Sequence, residues 1–280
     1  MLEDRIKSLP IWNVPNSIEP LRGGLSNESY LVTDKTGKYV VRFGRDYPFH
    51  HVFRDREVMT AKAAFAAGFA PEVVYSEPGM MVSRFIEGRT YAAPDVRQNI
   101  PRIAKLLSDF HSKMPAKITG AGFMFWPFHV IRDYACTLGD SRYLTLNADL
   151  EAAQIALPIV FAHNDLLPAN FIDDGKKLWL IDFEYAGFST AMFDLAGVSA
   201  NAQFTRQQSN ELLTEYFQTK PNPELTKSLA AMQCAALLRE AMWSQVSERH
   251  LQTPGVDFTA YAAENFARLD SALTAFRTLK

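Results

Sequence analysis

The chain has 280 residues, with 29 Lys and Arg against 31 Asp and Glu and a formal net charge of −2. That length accommodates two lobes sharing a cleft, and that charge advertises no basic face for nucleic acid. The amino terminus, Met1-Leu2-Glu3-Asp4-Arg5-Ile6-Lys7-Ser8, is charged from its third residue and lacks the apolar core of a secretory signal. No run approaches the ~18 apolar residues that cross a bilayer, so the expectation is a cytoplasmic protein with no membrane insertion. Two cysteines, Cys136 and Cys234, fall in helix-like segments and read as reduced, buried thiols.

β patterning concentrates in the first third. Ile18 to Arg22, Glu28 to Thr33 and Tyr39 to Phe43 read as three short strands, the last two joined by the hairpin turn Asp34-Lys35-Thr36-Gly37. Between the first two lies Gly23-Gly24-Leu25-Ser26-Asn27, a small-residue turn whose backbone N–H groups can approach an anion. Tyr39-Val40-Val41-Arg42-Phe43 alternates like a strand whose charged member points into a polar site or solvent, and an arginine fork suits phosphate oxygens. A helix follows from about Phe53 to Ala67, with Glu57 placed as the ion-pair partner of Arg42 and Gly68 as its C-cap. Val73 to Tyr75 and Met80 to Ser83 complete the strands of a small lobe, and Arg84 to Gly88 connects to a helical remainder. The spacing from Ile103 to His111 predicts an amphipathic core helix in which His111 packs.

Residues 160–186 are the most informative stretch. His163, Asp165 and Asn170 stand in an H-x-D-x4-N arrangement, and a second acid, Asp182, follows the apolar run Leu178-Trp179-Leu180-Ile181. Phosphoryl transfer from a nucleoside triphosphate asks for a carboxylate that orients and deprotonates the attacking hydroxyl, and for an amide and a second carboxylate that hold magnesium on the phosphates. Asp165, Asn170 and Asp182 fit those roles in that order. The spacing has a structural reason: Phe171-Ile172, a turn at Asp173-Asp174-Gly175-Lys176, and Leu178 to Ile181 form a hairpin with Asn170 and Asp182 at its open ends. A surface turn would not place Asp182 behind four apolar residues, where an unpaired carboxylate is costly to desolvate. His163 is expected to brace the loop backbone.

The last third, from about Gln207, reads as helical. In Leu237-Leu238-Arg239-Glu240-Ala241-Met242-Trp243, Glu240 and Trp243 lie three apart and share a helix face. If that face meets a cleft, the Trp243 ring is open to a cation; otherwise it packs in the core.

His163 to Asn170, Ile181-Asp182-Phe183-Glu184-Tyr185-Ala186-Gly187 and Phe193-Asp194-Leu195-Ala196 together resemble the choline/ethanolamine kinase branch of the aminoglycoside phosphotransferase-like kinases, the bacterial choline kinases most of all. The matching motifs span positions 23 to 266. The resemblance implies an α+β, bilobal protein-kinase-like fold, with an antiparallel small lobe and connector over residues 1–88 and a mostly helical catalytic and acceptor-binding lobe over 89–280. It implies ATP and Mg2+ as cofactors and a small amino alcohol as acceptor: choline, or else ethanolamine, thiamine or an aminoglycoside. A non-catalytic, kinase-like binding protein is disfavoured by the intact Asp165, Asn170 and Asp182. By the same resemblance, Gly24, Ser26, Asn27, Arg42 and Glu57 serve the nucleotide, Glu184 joins Asn170 and Asp182 at the metal, and Tyr185, Glu240, Trp243 and Tyr261 serve the acceptor. A homodimer is compatible with it. Two departures stand out: Glu240 replaces the second tryptophan usual in eukaryotic members, and Asn265 replaces the family's common arginine before Phe266.

Overall fold

A computed structural model describes residues 2–12, 15–21, 27–251 and 255–279. Within them a small antiparallel sheet stands over a larger helical body. The short helix α1 (Leu2–Lys7) leads into β1 (Ser17–Leu21), β2 (Glu28–Asp34) and β3 (Gly37–Phe43); α2 (Arg54–Ala66) and the hairpin β4 (Val73–Glu77) and β5 (Met80–Arg84) follow. Among the described residues the sheet runs β1-β2-β3-β5-β4 with antiparallel neighbours. The predicted strands are present, each within two residues of its expected limits. Asp34 pairs with Gly37, leaving Lys35 and Thr36 as the turn, and Asp34 Oδ1 accepts from the backbone N–H of Thr36 at 2.7 Å.

Alternation along β3 sorts its side chains. Tyr39, Val41 and Phe43 are buried with Val32, Met80 and Val82 against Ile6, Leu9 and Trp12 of the amino-terminal segment. Each such aliphatic burial stabilises by about 1.5–3 kcal/mol. The opposite face of β3 carries Arg42 toward α2 and the larger body.

After β5 the chain crosses through β6 (Arg89–Thr90) into α3 (Ala93–Gln98), α4 (Ile100–Lys113), α5 (Pro127–Leu138) and α6 (Leu144–Ala152). Ile100, Ile103, Ala104, Leu107, Phe110 and His111 form the buried stripe of α4, the spacing expected for an amphipathic helix. Strand β7 (Ile159–Ala162) precedes the hairpin β8 (Phe171–Asp173) and β9 (Leu178–Leu180), and β10 (Gly187–Thr190) returns to pair with β7. Strand β6 adds to the hairpin, Thr90 opposite Ile172, so the connector is sewn directly to the segment bearing Asn170 and Asp182. The chain closes with α7 (Ala191–Asn201), α8 (Arg206–Phe217), α9 (Pro223–His250) and α10 (Phe258–Arg277). Asn222 and Asp257 cap α9 and α10 by accepting from the backbone N–H groups of Leu225 and Ala260.

Both cysteines are free thiols. Cys234 is buried in α9 and its thiol is pushed up to about 12 by that burial, whereas Cys136 lies exposed on α5, so the expectation of two buried thiols fails for Cys136. No helix among the described residues is long and apolar enough to cross a membrane.

Candidate active site

The loop after β7 is fixed from beneath by one buried carboxylate. Asp194, in the first turn of α7, accepts from the backbone N–H of His163 at 2.8 Å and of Asn164 at 2.7 Å, and from His111 Nε2 of α4 at 2.8 Å. Burial opposes ionisation of Asp194, but His111 beside it holds the carboxyl below the usual range. His163 donates from Nε2 to the carbonyl of Ile181 at 2.9 Å, which leaves Nδ1 to accept from the Asp165 N–H at 3.3 Å. Burial lowers its pKa, keeping the imidazole neutral. His163 thus braces the loop against the chain just before Asp182. Asn164 and Asp182 both hold left-handed backbone angles, φ 63° and 69°. Such angles in non-glycine residues are strained and persist only where the surroundings over-determine them.

Asp165 projects from this loop, 3.8 Å from Arg239 Nη1. Burial pushes its carboxyl well above the usual range; Arg239 pulls it back, while Glu240, Asp182 and Glu184 add to the rise. Asn170 Nδ2 donates to the Asp165 carbonyl at 2.7 Å, which commits the amide nitrogen and frees the amide oxygen as a ligand. Phe171 pairs with Leu180, and the Ile181 N–H donates to the Asn170 carbonyl at 3.2 Å. The hairpin therefore holds Asn170 and Asp182 side by side, with the strand ending at Leu180 and Asp182 just past it.

Across the cleft Arg42 binds Glu57 through Nη1 at 2.8 Å, and Asp182 and Glu184 through Nη2 at 2.6 and 3.3 Å. Arg54, the first residue of α2, binds Glu57 at 2.6 Å and Glu184 at 2.8 Å. Burial opposes both charges in the Asp182 and Glu184 pair. Arg42 holds Asp182 below the usual range, while burial and the Asp182 charge raise Glu184. Gly44 makes this approach possible: a Cβ there would meet Asn27 Oδ1 at 2.5 Å and Arg54 Nε at 2.8 Å. Asn27 Nδ2 lies 3.4 Å from Glu184 Oε2. Gly24 and Ser26 lie outside the described residues.

The donor set suits magnesium. Asn170, Asp182 and Glu184 offer hard oxygens only, and among the described residues there is no cluster of three His, Cys, Asp or Glu that would hold a metal by itself. Magnesium is commonly held by one or two carboxylates with substrate phosphates and water completing the octahedron.

The residues expected on the acceptor side gather around α9. Tyr261 of α10 donates to Glu240 Oε1 at 2.9 Å, and Trp243 Nε1 donates to the Tyr185 hydroxyl at 2.9 Å. The open indole face expected of Trp243 is not what the structure presents. Trp243 is 7% exposed, His50 stacks on it at 5.2 Å between centroids, and Phe258 and Tyr261 meet it in edge-on contact. His50 is kept neutral there, pushed down to about 2 by burial and by Arg239.

Sequence reasoning gave no role to Arg54, Asp194 or Arg239. Two of them carried a usable signal. Asp194 sits in the apolar run Ala191 to Ala196, the same anomaly that singled out Asp182, and Arg239 lies four residues before Trp243 on the buried face of α9.

The sequence matches the phosphotransferase enzyme family over residues 17–229. The chain belongs to that family. A probable ethanolamine kinase of Arabidopsis thaliana is 30% identical over 206 residues, covering 64% of this chain and 54% of that protein, so the chain spans about half the length of that relative. A choline/ethanolamine kinase family protein of Mesorhizobium loti superposes with a TM-score of 0.80 at 26% identity, covering 98% of this chain and 95% of the other. The choline kinase LicA of Streptococcus pneumoniae shares the fold, with a TM-score of 0.80 at 24% identity over 98% of each chain. The family's kinase-like architecture is therefore that of this chain: an antiparallel sheet above a helical body, with the phosphotransfer motif on the loop and hairpin between β7 and β10.

Proposed function

We propose that this phosphotransferase moves the γ-phosphoryl group of ATP, with magnesium, to the hydroxyl of an amino alcohol of the choline or ethanolamine kind. The observation that carries the reading is the convergence of Asp165, Asn170 and Asp182 on one braced loop and hairpin, facing Arg42 across the cleft. The similarity to relatives described as ethanolamine and choline kinases supports the acceptor class.

In this reading Asp165 accepts a hydrogen bond from the acceptor hydroxyl, orients its oxygen in line with the γ-phosphorus, and takes the proton as the oxygen attacks. Its raised pKa makes it a better proton acceptor than an exposed aspartate, and Arg239 beside it keeps the ionised form accessible. Asn170 and Asp182, with Glu184 beside them, hold the metal, which supplies charge neutralisation on the phosphates. Arg42 exchanges part of its carboxylate contact for phosphate oxygens, with Glu57 fixing its fork. The small and large lobes, read as residues 1–88 and 89–280, supply the nucleotide and acceptor sides respectively.

A coupled assay of ADP release from the purified chain with Mg-ATP, run against choline, ethanolamine, thiamine and kanamycin, tests the reading. Turnover with choline or ethanolamine above the acceptor-free rate is expected. Turnover confined to thiamine or kanamycin would move the acceptor class, and none with any of the four would refute phosphotransfer to small alcohols of these kinds.

A further inference from the structure

The acceptor side of the site already contains a cation. Arg239 is 3% exposed, and its guanidinium lies 4.4 Å from the centroid of the Tyr185 ring and 5.9 Å from that of Phe125. Nη1 binds Glu240 Oε2 at 2.8 Å and stands 3.8 Å from Asp165 Oδ1. Nε and Nη2 are buried and have no hydrogen-bond partner among the described residues. Packing alone gives no reason to bury a guanidinium with the donors of two of its three nitrogens unpaired, because such donors oppose folding.

The consequence falls on the acceptor. A trimethylammonium group cannot donate N–H bonds and needs open aromatic faces. Here the Tyr185 face is covered by Arg239 and the Trp243 face by His50. A cavity beside Asp165 is bounded by Asn164, Phe193, Asn201, Arg239 and Glu240. A primary ammonium is smaller by three methyl groups and can donate to the carboxylate of Glu240, a residue that lines that cavity.

Resting on the amino-alcohol reading above, we propose that Arg239 is a specificity-determining residue: by occupying the aromatic face with the protein's own cation, it selects acceptors with a primary ammonium over those with a quaternary one.

The test compares the wild-type chain with Arg239→Met, which keeps an apolar stem and removes the cation. Specificity constants for ethanolamine and choline are measured with saturating Mg-ATP, and binding of tetramethylammonium is measured by calorimetry without an acceptor. Wild type should favour ethanolamine by at least about tenfold, the effect of 1.4 kcal/mol, and should not bind tetramethylammonium at 10 mM or below, roughly the weakest affinity calorimetry resolves. Arg239→Met should raise the choline-to-ethanolamine ratio by about tenfold or more and should bind tetramethylammonium. Arg239→Gln, which keeps a donor for Glu240, carries the same expectations if the Met variant does not fold. A wild type that prefers choline, a ratio unchanged in a folded variant, or tetramethylammonium binding to wild type would each overturn the proposal. Turnover of neither amino alcohol would refute the functional reading instead, and the tetramethylammonium comparison would still decide the role of Arg239.

Discussion

At the scale of one residue the proposed chemistry rests on Asp165 as general base, and its surroundings set its pH behaviour. The carboxylate must be ionised to accept the hydroxyl proton. Burial raises its pKa, so activity rises with pH through that raised value, and the acid limb of kcat/KM should lie above the ordinary carboxylate range. Asp165→Asn keeps the shape and removes the charge. Turnover should fall on the order of 10²–10⁴-fold, the usual contribution of a positioned general base, with nucleotide affinity nearly unchanged in a calorimetric titration. A mutant retaining more than about a tenth of wild-type turnover would remove the base from Asp165. The acid limb supplies a second check: because Arg239 lowers the Asp165 pKa while Glu240, Asp182 and Glu184 raise it, removing the Arg239 charge should move the limb to higher pH.

At the scale of elements, α7 holds the loop bearing Asp165 through Asp194. One carboxylate satisfies two consecutive backbone N–H groups of that loop and the His111 imidazole of α4, so three elements meet at two oxygens. Asp194→Asn leaves one acceptor oxygen where two were used and places an amide against donors. Breaking such a buried charged network should cost about 3–5 kcal/mol, read as a lower urea midpoint at unchanged slope. Its pH dependence has a definite sign. The folded-state pKa of Asp194 is lowered, so its contribution is present above the unfolded value and is lost as pH falls through the folded one. Wild type should therefore lose stability on acidification in a range where Asp194→Asn does not. Parallel acid unfolding curves for the two proteins would refute the assignment.

For the whole molecule, the cleft is closed electrostatically. Arg42 and Arg54 from the small sheet and α2 bind Asp182 and Glu184 from the large lobe, with Glu57 between them. The same guanidinium that ties the lobes is the one proposed to meet the phosphates, so nucleotide and lobe contact share Arg42. A ligand at a hundred times its dissociation constant stabilises the fold by about 2.7 kcal/mol. Arg42→Ala should reduce the thermal stabilisation given by Mg-ATP and raise KM for ATP about tenfold or more, about 1.4 kcal/mol of binding, while changing KM for the acceptor less. An unaltered nucleotide-induced shift in the mutant would mean that Arg42 serves only the ion pairs seen here.

Much of this was legible in the residues themselves. Strand alternation placed Arg42 off the core face, helical spacing drew the buried stripe of α4, and the twelve residues from Asn170 to Asp182 specified a hairpin with both at its open ends, because these patterns depend on neighbours in the chain. The expected phosphotransfer loop followed from such local regularities joined to the motif, and the kinase-like fold from the family resemblance those motifs carry. What remained hidden depends on distance in space. Asp194 meets His163 and His111 across 31 and 83 residues, Arg54 reaches Glu184 across 130, and His50 covers Trp243 from a segment with no periodic signal. Trp243 and Glu240 were placed on one helix face by their spacing, yet only the packing of α9 against Tyr185 and His50 decided that the indole is covered and that Arg239 takes the aromatic face. Periodicity fixes which side of a helix a residue occupies; what stands opposite that side is settled by long-range packing, which no local pattern encodes.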